Sequence, residues 1–125
     1  MQFLHSMIRT TKEQEMIKFY RDFLGLELGK RIRLEDCYLQ YLTEPSSGVE
    51  IELTINDEAP EKYTQGEQFG HFAFLCDDLD EADKKMKQMG YSWLVEPFFL
   101  KEVNTRISFL KDPDGNEIEL IEKEK

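Results

Sequence analysis

Long apolar runs and paired cysteines are missing from this chain of 125 residues. No apolar stretch approaches the ~20 residues that a membrane-spanning helix needs. Residues 1–7 lack a basic region followed by a long apolar stretch, so no signal peptide is expected. The two cysteines, Cys37 and Cys76, lack CxxC spacing and are predicted to be reduced, partly buried thiols. These absences favour a cytoplasmic protein.

Positive charge is also scarce, because 16 lysines and arginines stand against 26 aspartates and glutamates, for a net charge of −10. An acidic surface repels phosphate groups, so neither nucleic acid nor an anionic membrane is expected as a partner.

The apolar content is sufficient for a core, since 40% of the residues are hydrophobic and 12% are aromatic. At this length the chain is predicted to form one domain, residues 1–125.

The most informative feature is a repeat. The tetrapeptide Glu-Ile-Glu-Leu occurs twice, and each copy follows one of the only two histidines. From His5 to Glu52 is 47 residues, and from His71 to Glu119 is 48. We therefore interpret the chain as one unit written twice, with a histidine near the start of each copy and a glutamate near its end.

The order of predicted elements repeats as well, as strand, helix and three strands in each half. The fold class is predicted to be α+β, with two tandem βαβββ modules forming a curved mixed sheet that carries the helices on its outer face. The modules are residues 1–57 and 68–125, joined by a short polar linker. The strands are predicted at residues 1–9, 26–34, 37–43, 49–56, 69–76, 91–95, 105–111 and 116–121.

Helix ends and one turn have clear local signals. Thr10 or Thr11, with Glu13 forming a capping box, is predicted to start the first helix. Asp77 or Asp78, with Glu81, is predicted to start the second. Glycines at positions 25 and 90 are predicted to end these helices, and Asp-Pro-Asp-Gly at residues 112–115 predicts a tight turn.

Alternation along the strands predicts which side chains share a face. It places His5 with Arg9, and Glu52 with Asn56, away from the apolar face. If the two copies pack about a pseudo-twofold axis, two imidazoles and two carboxylates converge. That donor set suits a divalent ion such as nickel, cobalt, zinc, iron or manganese, and leaves positions open for water or substrate oxygens. The predicted metal ligands are His5, Glu52, His71 and Glu119.

Several motifs carry a family resemblance over essentially the whole chain. They are Phe-Leu-His-Ser-Met-Ile-Arg at residues 3–9, Ile-Glu-Leu-Thr-Ile-Asn at 51–56, Phe-Gly-His-Phe-Ala at 69–73 and Asp-Pro-Asp-Gly-Asn-Glu-Ile-Glu-Leu at 112–120. In them the chain resembles glyoxalase I (lactoylglutathione lyase) of the vicinal oxygen chelate superfamily, in its short bacterial form. The resemblance implies the same four ligands, and it matches Arg9 and Asn56 with positions that contact the glutathione part of the substrate.

The resemblance also implies a reaction, methylglyoxal detoxification. The hemithioacetal of methylglyoxal and glutathione would become an S-lactoyl thioester through a metal-bound ene-diolate. Glu119 would be the base for one epimer, and Glu52 would act on the opposite face. Short members of the family prefer nickel or cobalt over zinc. They are commonly homodimers with active sites formed between subunits, although some relatives complete the site within one chain.

One segment departs from the family pattern. Residues 97–105, Pro-Phe-Phe-Leu-Lys-Glu-Val-Asn-Thr, replace a flexible Lys-Gly-Gly-Thr-like loop that closes over the thiol conjugate. The thiol is therefore expected to be glutathione or another low-molecular-weight thiol. The other candidate functions are an acyl-CoA epimerase of the same superfamily and a non-catalytic small-molecule binding module. A ring-cleaving dioxygenase needs only two histidines and one carboxylate, so the fourth ligand argues against it.

Overall fold

The computed structural model of the protein describes residues 1–124, which lie in two compact units. The first unit, Met1–Thr64, contains β1 (His5–Arg9), α1 (Glu13–Ile17) with a π-helical continuation (Lys18–Phe23), β2 (Glu27–Arg33), β3 (Cys37–Thr43) and β4 (Glu50–Asn56). The second, which begins at Gln65, contains β5 (His71–Cys76), α2 (Leu79–Gln88), β6 (Trp93–Leu100), a 3-10 turn (Lys101–Val103), β7 (Thr105–Lys111) and β8 (Glu117–Glu122).

Each unit has one four-stranded mixed sheet. The strand orders are β1-β4-β3-β2 and β5-β8-β7-β6. In both sheets the first strand is an edge strand that pairs in parallel with the last, and the other neighbours are antiparallel. A helix connects the first strand to the three that follow. The predicted α+β fold of two βαβββ modules is confirmed, with the eight strands assigned to two sheets of identical order.

Helix and sheet residues of each unit form its core. In the first unit the helical segment buries Met16, Phe19 and Tyr20, and the sheet buries Leu42 and Leu53. The second unit buries a corresponding set: Leu79, Met86, Leu110, Ile118 and Leu120. The apolar residues of β4 and β8 that alternate with the glutamates are therefore the core residues, as their period of two predicts.

The capping box predicted for the first helix is wrong. The N-cap position is Lys12, which makes no side-chain cap hydrogen bond. Thr10 accepts a hydrogen bond from the backbone N–H of Lys12, at 2.9 Å, instead of capping the helix. The Glu13 carboxylate binds the guanidinium of Arg31 on β2, so it is not available to reach back to the helix start. The ion pair between Glu13 and Arg31 therefore takes the place of the predicted capping box.

The second helix is capped as predicted, by Asp78, and begins at Leu79. Asp78 Oδ1 accepts hydrogen bonds from the N–H groups of Asp80 at 2.8 Å and Glu81 at 3.3 Å. Replacing Asp78 by alanine should lower the free energy of unfolding by about 1 kcal/mol, because two helical N–H groups lose their acceptor. Urea unfolding measures this, with the exposed Asp77→Ala as the matched control. An equal loss in the control would contradict the assignment of the cap.

The turn at residues 112–115 is also confirmed. Asp112 is buried, and its Oδ1 accepts from the N–H groups of Asp114 and Asn116, both at 2.9 Å. Gly115 has a φ of 90°, which a side chain would strain. The turn fixes where β8 starts, and through it the position of Glu119.

Some predicted boundaries are wrong. β1 begins at His5, not at residue 1. β6 runs from Trp93 to Leu100, five residues beyond the predicted end of this strand at residue 95. The pairing of β6 with β7 shifts register between Val95 and Phe98, which leaves Pro97 outside the regular ladder, where its missing N–H is tolerated. Among residues 1–124 no helix is long and apolar enough to cross a membrane.

Candidate metal centre

The first histidine–glutamate pair is set by the parallel pairing of β1 with β4. In that ladder His5 lies opposite Glu50, and Met7 lies opposite Glu52. His5 and Glu52 are therefore on the same face, displaced by two positions, and the imidazole leans along the strand to the carboxylate. His5 Nε2 is 3.1 Å from Glu52 Oε2. Glu52 is buried, and just over a third of the His5 side chain is exposed.

The second pair repeats this geometry in β5 and β8. His71 lies opposite Glu117, and Ala73 lies opposite Glu119, so the register is the same as in the first unit. His71 Nε2 is 3.2 Å from Glu119 Oε1. The repeated tetrapeptide thus has a structural meaning, since each copy puts its second glutamate beside the histidine of its own unit.

The donor chemistry of each pair fits a divalent ion. Two donor atoms bound to one ion at about 2.1 Å, and about a right angle apart, are about 3.0 Å from each other. At a tetrahedral angle they would be about 3.4 Å apart. The observed 3.1 and 3.2 Å lie between these two values, so the spacing within each pair admits one ion in either geometry. Among residues 1–124, no group of three or more histidine, cysteine, aspartate and glutamate side chains forms a metal site, so the structure brings together two pairs, and the four-ligand set stays a prediction.

Tyr41 is a site residue that the sequence did not identify. It lies opposite Glu52 in the β3–β4 ladder, and its hydroxyl donates to Glu52 Oε2 at 2.6 Å. This hydrogen bond, together with burial, raises the pKa of Tyr41 to about 12, so the phenol remains a donor at neutral pH. Its ring packs edge-on to His5, with centroids 5.8 Å apart. Only the register between the two strands could have revealed this contact.

Arg9 and Asn56, the predicted substrate contacts, lie at the ends of β1 and β4. Arg9 is exposed and occupies the last position of β1, opposite Thr54. The Asn56 amide donates to the hydroxyl of Tyr63 at 3.0 Å. Like the contact of Tyr41 with Glu52, this hydrogen bond was not indicated by the sequence. Arg9 and Asn56 both belong to the unit that carries His5 and Glu52.

Neither cysteine has the properties of a nucleophile. Cys37 is buried, Cys76 is half-buried, and both are free thiols. Burial raises the pKa of Cys37 and raises that of Cys76 to about 11. Both thiols are therefore protonated at neutral pH, which disfavours attack on a substrate or metal ligation.

Comparison with known proteins gives consistent matches. The family model described as Glyoxalase/Bleomycin resistance protein/Dioxygenase superfamily matches residues 2–120. The lactoylglutathione lyase of Neisseria meningitidis serogroup A is 35% identical over 128 residues, covering 98% of this chain and 91% of that protein. The crystal structure of glyoxalase I from Zea mays matches with a TM-score of 0.87 and 30% identity over 99% of this chain, which spans only 45% of the maize chain. The glyoxalase I of Leishmania major, described as trypanothione-dependent, gives a TM-score of 0.77 and 28% identity, with 98% of this chain and 86% of that chain covered.

Proposed function

The chain belongs to the Glyoxalase/Bleomycin resistance protein/Dioxygenase superfamily, and from this membership and its two histidine–glutamate pairs we propose that it is a metal-dependent lactoylglutathione lyase. The reaction is the conversion of a methylglyoxal–thiol hemithioacetal to an S-lactoyl thioester. The observation that carries the proposal is the identical register of the two pairs, because together they offer two imidazoles and two carboxylates, a donor set that suits one divalent ion. The curated relatives of this chain are lactoylglutathione lyases, so the epimerase and the binding module are not proposed.

The proposed ligands are His5, Glu52, His71 and Glu119. The bound ion would supply Lewis-acid stabilisation of the negative charge that develops when a carbon-bound proton leaves. Nickel or cobalt is proposed ahead of zinc, as the resemblance to the short bacterial members of the family implies.

Side chains of this protein would carry out the proton transfer and bind the thiol part of the substrate. A carboxylate of the site, Glu119, removes the proton from C1 of the hemithioacetal and returns it to C2, while the hydroxyl proton on the C1 oxygen passes to the C2 oxygen, which gives the thioester. Glu52 would act on the opposite face of the substrate. Arg9 attracts a carboxylate of the thiol, for which its exposure at the end of β1 leaves room. Asn56, oriented by Tyr63, contributes a polar contact to the same part of the substrate.

The thiol is proposed to be glutathione. The alternative is another low-molecular-weight thiol, because residues 97–105 lack the glycines of the loop that closes over the thiol conjugate in similar enzymes and carry Phe98 and Phe99 instead. A homodimer with active sites shared between subunits is proposed for the assembly. The cytoplasm is the proposed location, since the free thiols of Cys37 and Cys76 suit a compartment that keeps thiols reduced.

A thioester assay tests the proposal directly. Methylglyoxal is mixed with glutathione, trypanothione or free cysteine, and the ultraviolet absorbance of the thioester is followed after adding native protein. We expect turnover with glutathione, loss of activity after a chelator removes the metal, and recovery on adding Ni²⁺ or Co²⁺. Boiled protein with the same ion is the control. Turnover that survives complete removal of the metal would contradict the proposal. So would the absence of turnover with every thiol and every metal ion tested.

A further inference from the structure

The carboxylate of Glu52 is held at both of its oxygens. The Tyr41 hydroxyl donates to Oε2 at 2.6 Å, and the Thr54 hydroxyl donates to Oε1 at 3.3 Å. Tyr41 is itself fixed, because it is buried, its ring packs edge-on to His5, and Lys30 Nζ lies 4.8 Å from the ring centroid. Thr54 is buried on the same strand, two residues beyond Glu52. Glu52 is therefore attached to its own sheet independently of any ion.

The second unit lacks both donors at the corresponding positions. Phe109 lies opposite Glu119 in the β7–β8 ladder, as Tyr41 lies opposite Glu52 in the β3–β4 ladder. Its ring packs edge-on to His71 with centroids 5.5 Å apart, so it reproduces the packing of Tyr41 without the hydroxyl. Two residues beyond Glu119 stands Ile121, in the place of Thr54. Within the described part of the chain, His71 is the one polar partner of the Glu119 carboxylate.

We propose that Tyr41, with Thr54, is a positioning residue that keeps Glu52 stationary as a metal ligand, whereas Phe109 and Ile121 leave Glu119 able to turn and carry the proton. This inference rests on the proposed function. A group that takes a proton from one carbon and delivers it to the next must move between two positions during each turnover. Glu52 makes that movement only by breaking two hydrogen bonds in a place with little access to water, where its side chain is 11% exposed. Glu119 breaks neither, so the two glutamates of the repeat have different tasks.

The aromatic half of this difference lies in one pair of residues, so the chain supplies its own test variants. Tyr41→Phe removes the hydroxyl and keeps the ring. Phe109→Tyr adds a hydroxyl at the matching position of the other unit. The protein with both changes exchanges the two aromatic side chains, while its composition stays the same and Thr54 and Ile121 remain in place. Thermal unfolding of each variant establishes that it is folded.

Metal affinity is the readout that does not depend on turnover. Ni²⁺ binding to each metal-free variant is measured by competition with a chromophoric chelator. Tyr41→Phe is expected to weaken Ni²⁺ binding about 10-fold, because a carboxylate ligand loses the partner that orients it. Phe109→Tyr is expected to leave the affinity unchanged or to strengthen it. Equal affinities in the native protein and in Tyr41→Phe would overturn the proposal.

The second readout compares how much kcat falls when each of the two glutamates is replaced by glutamine. Glu119→Gln and Glu52→Gln are made in the native protein and in the double exchange, and kcat is measured with Ni²⁺ saturating. In the native protein Glu119→Gln should lower kcat about 100-fold, and Glu52→Gln about 10-fold. In the double exchange, where Thr54 and Ile121 remain, the difference between the two losses should shrink or reverse, which a merely structural role for Tyr41 would not produce. The same ratio of the two losses in both proteins would overturn the proposal. If the native protein forms no thioester, the proposed function and the assignment of the base both fail, and the nickel titration still decides whether Tyr41 fixes Glu52.

Discussion

Replacing either histidine by alanine is expected to lower kcat/KM by about 1000-fold or more, because the protein then loses a ligand of its ion and the charge stabilisation that the ion supplies. The identical register of the two pairs makes the expected losses similar for His5→Ala and His71→Ala. Steady-state kinetics with metal content measured on the same samples gives the result. Activity near the native level in either variant, with metal still bound, would contradict the four-ligand site.

The same two variants test how a site is assembled. If the pairs of one site come from different subunits of a dimer, a mixed dimer has one site with both histidines and one with neither. Half of the dimers in an equal mixture are mixed, so unfolding and refolding the two variants together should restore about a quarter of the native activity. Each variant refolded alone is the control. A mixture that stays inactive, with mixed dimers present, would mean that each site takes both pairs from one chain.

Glu122→Ala is expected to have the largest effect on stability, about 2–4 kcal/mol in the free energy of unfolding. Glu122 is buried in the core face of β8, where its Oε2 accepts from the N–H of Leu79 at 2.7 Å and from Arg106 Nη2 at 2.8 Å. This contact raises the pKa of Arg106. The guanidinium is charged at neutral pH even without that shift, so Glu122→Ala leaves a charge that has lost this partner. Partial exposure of the Arg106 side chain, at 31%, keeps the expected cost below that of a fully buried pair.

Urea unfolding of the Glu122 variants separates the two contacts. Glu122→Gln keeps an acceptor for the Leu79 N–H and should lose less than Glu122→Ala. The exposed Glu124→Ala is the matched control and should change stability by about 0.5 kcal/mol or less. Metal affinity should be unchanged in all three, because side chains alternate along β8 and Glu122 lies on the face opposite Glu119. A loss in Glu122→Ala no greater than in Glu124→Ala would show that the contact does not stabilise the fold.

The sequence predicted those features that depend on short-range pattern. The repeated tetrapeptide and the element order predicted two βαβββ modules, and alternation predicted that His5 and Glu52 share a face. Asp78 and the turn at Asp112 were predictable because the groups they bind are within four residues of them. Pairing register is different, since it joins residues far apart in the chain. The contact of Tyr41 with Glu52 and the role of Glu122 depend on it, and neither was predicted.

The first helix shows that a long-range contact can also make a local prediction wrong. Thr10 and Glu13 have the residue types and spacing of a capping box, but the Glu13 carboxylate binds Arg31, which is 18 residues away in the chain. A local motif gives way when a distant partner of opposite charge competes for the same group. The extension of β6 over residues 97–100 was not predicted, and it too depends on pairing with β7, whose register shifts on both sides of Val95.

Each histidine–glutamate pair lies on two strands that are hydrogen-bonded to each other. Its geometry should therefore be insensitive to insertions and deletions in the loops. The distance between His5 and Glu52 is determined by how β1 lies against β4, and no loop residue takes part. The same holds for His71, Glu119 and the ladder of β5 with β8. Insertions or deletions in connecting segments such as residues 57–70 and 101–104 are therefore expected to leave the distance within each histidine–glutamate pair unchanged. A repeat of this design tolerates variation in loop length while it keeps the spacing of its two donor side chains.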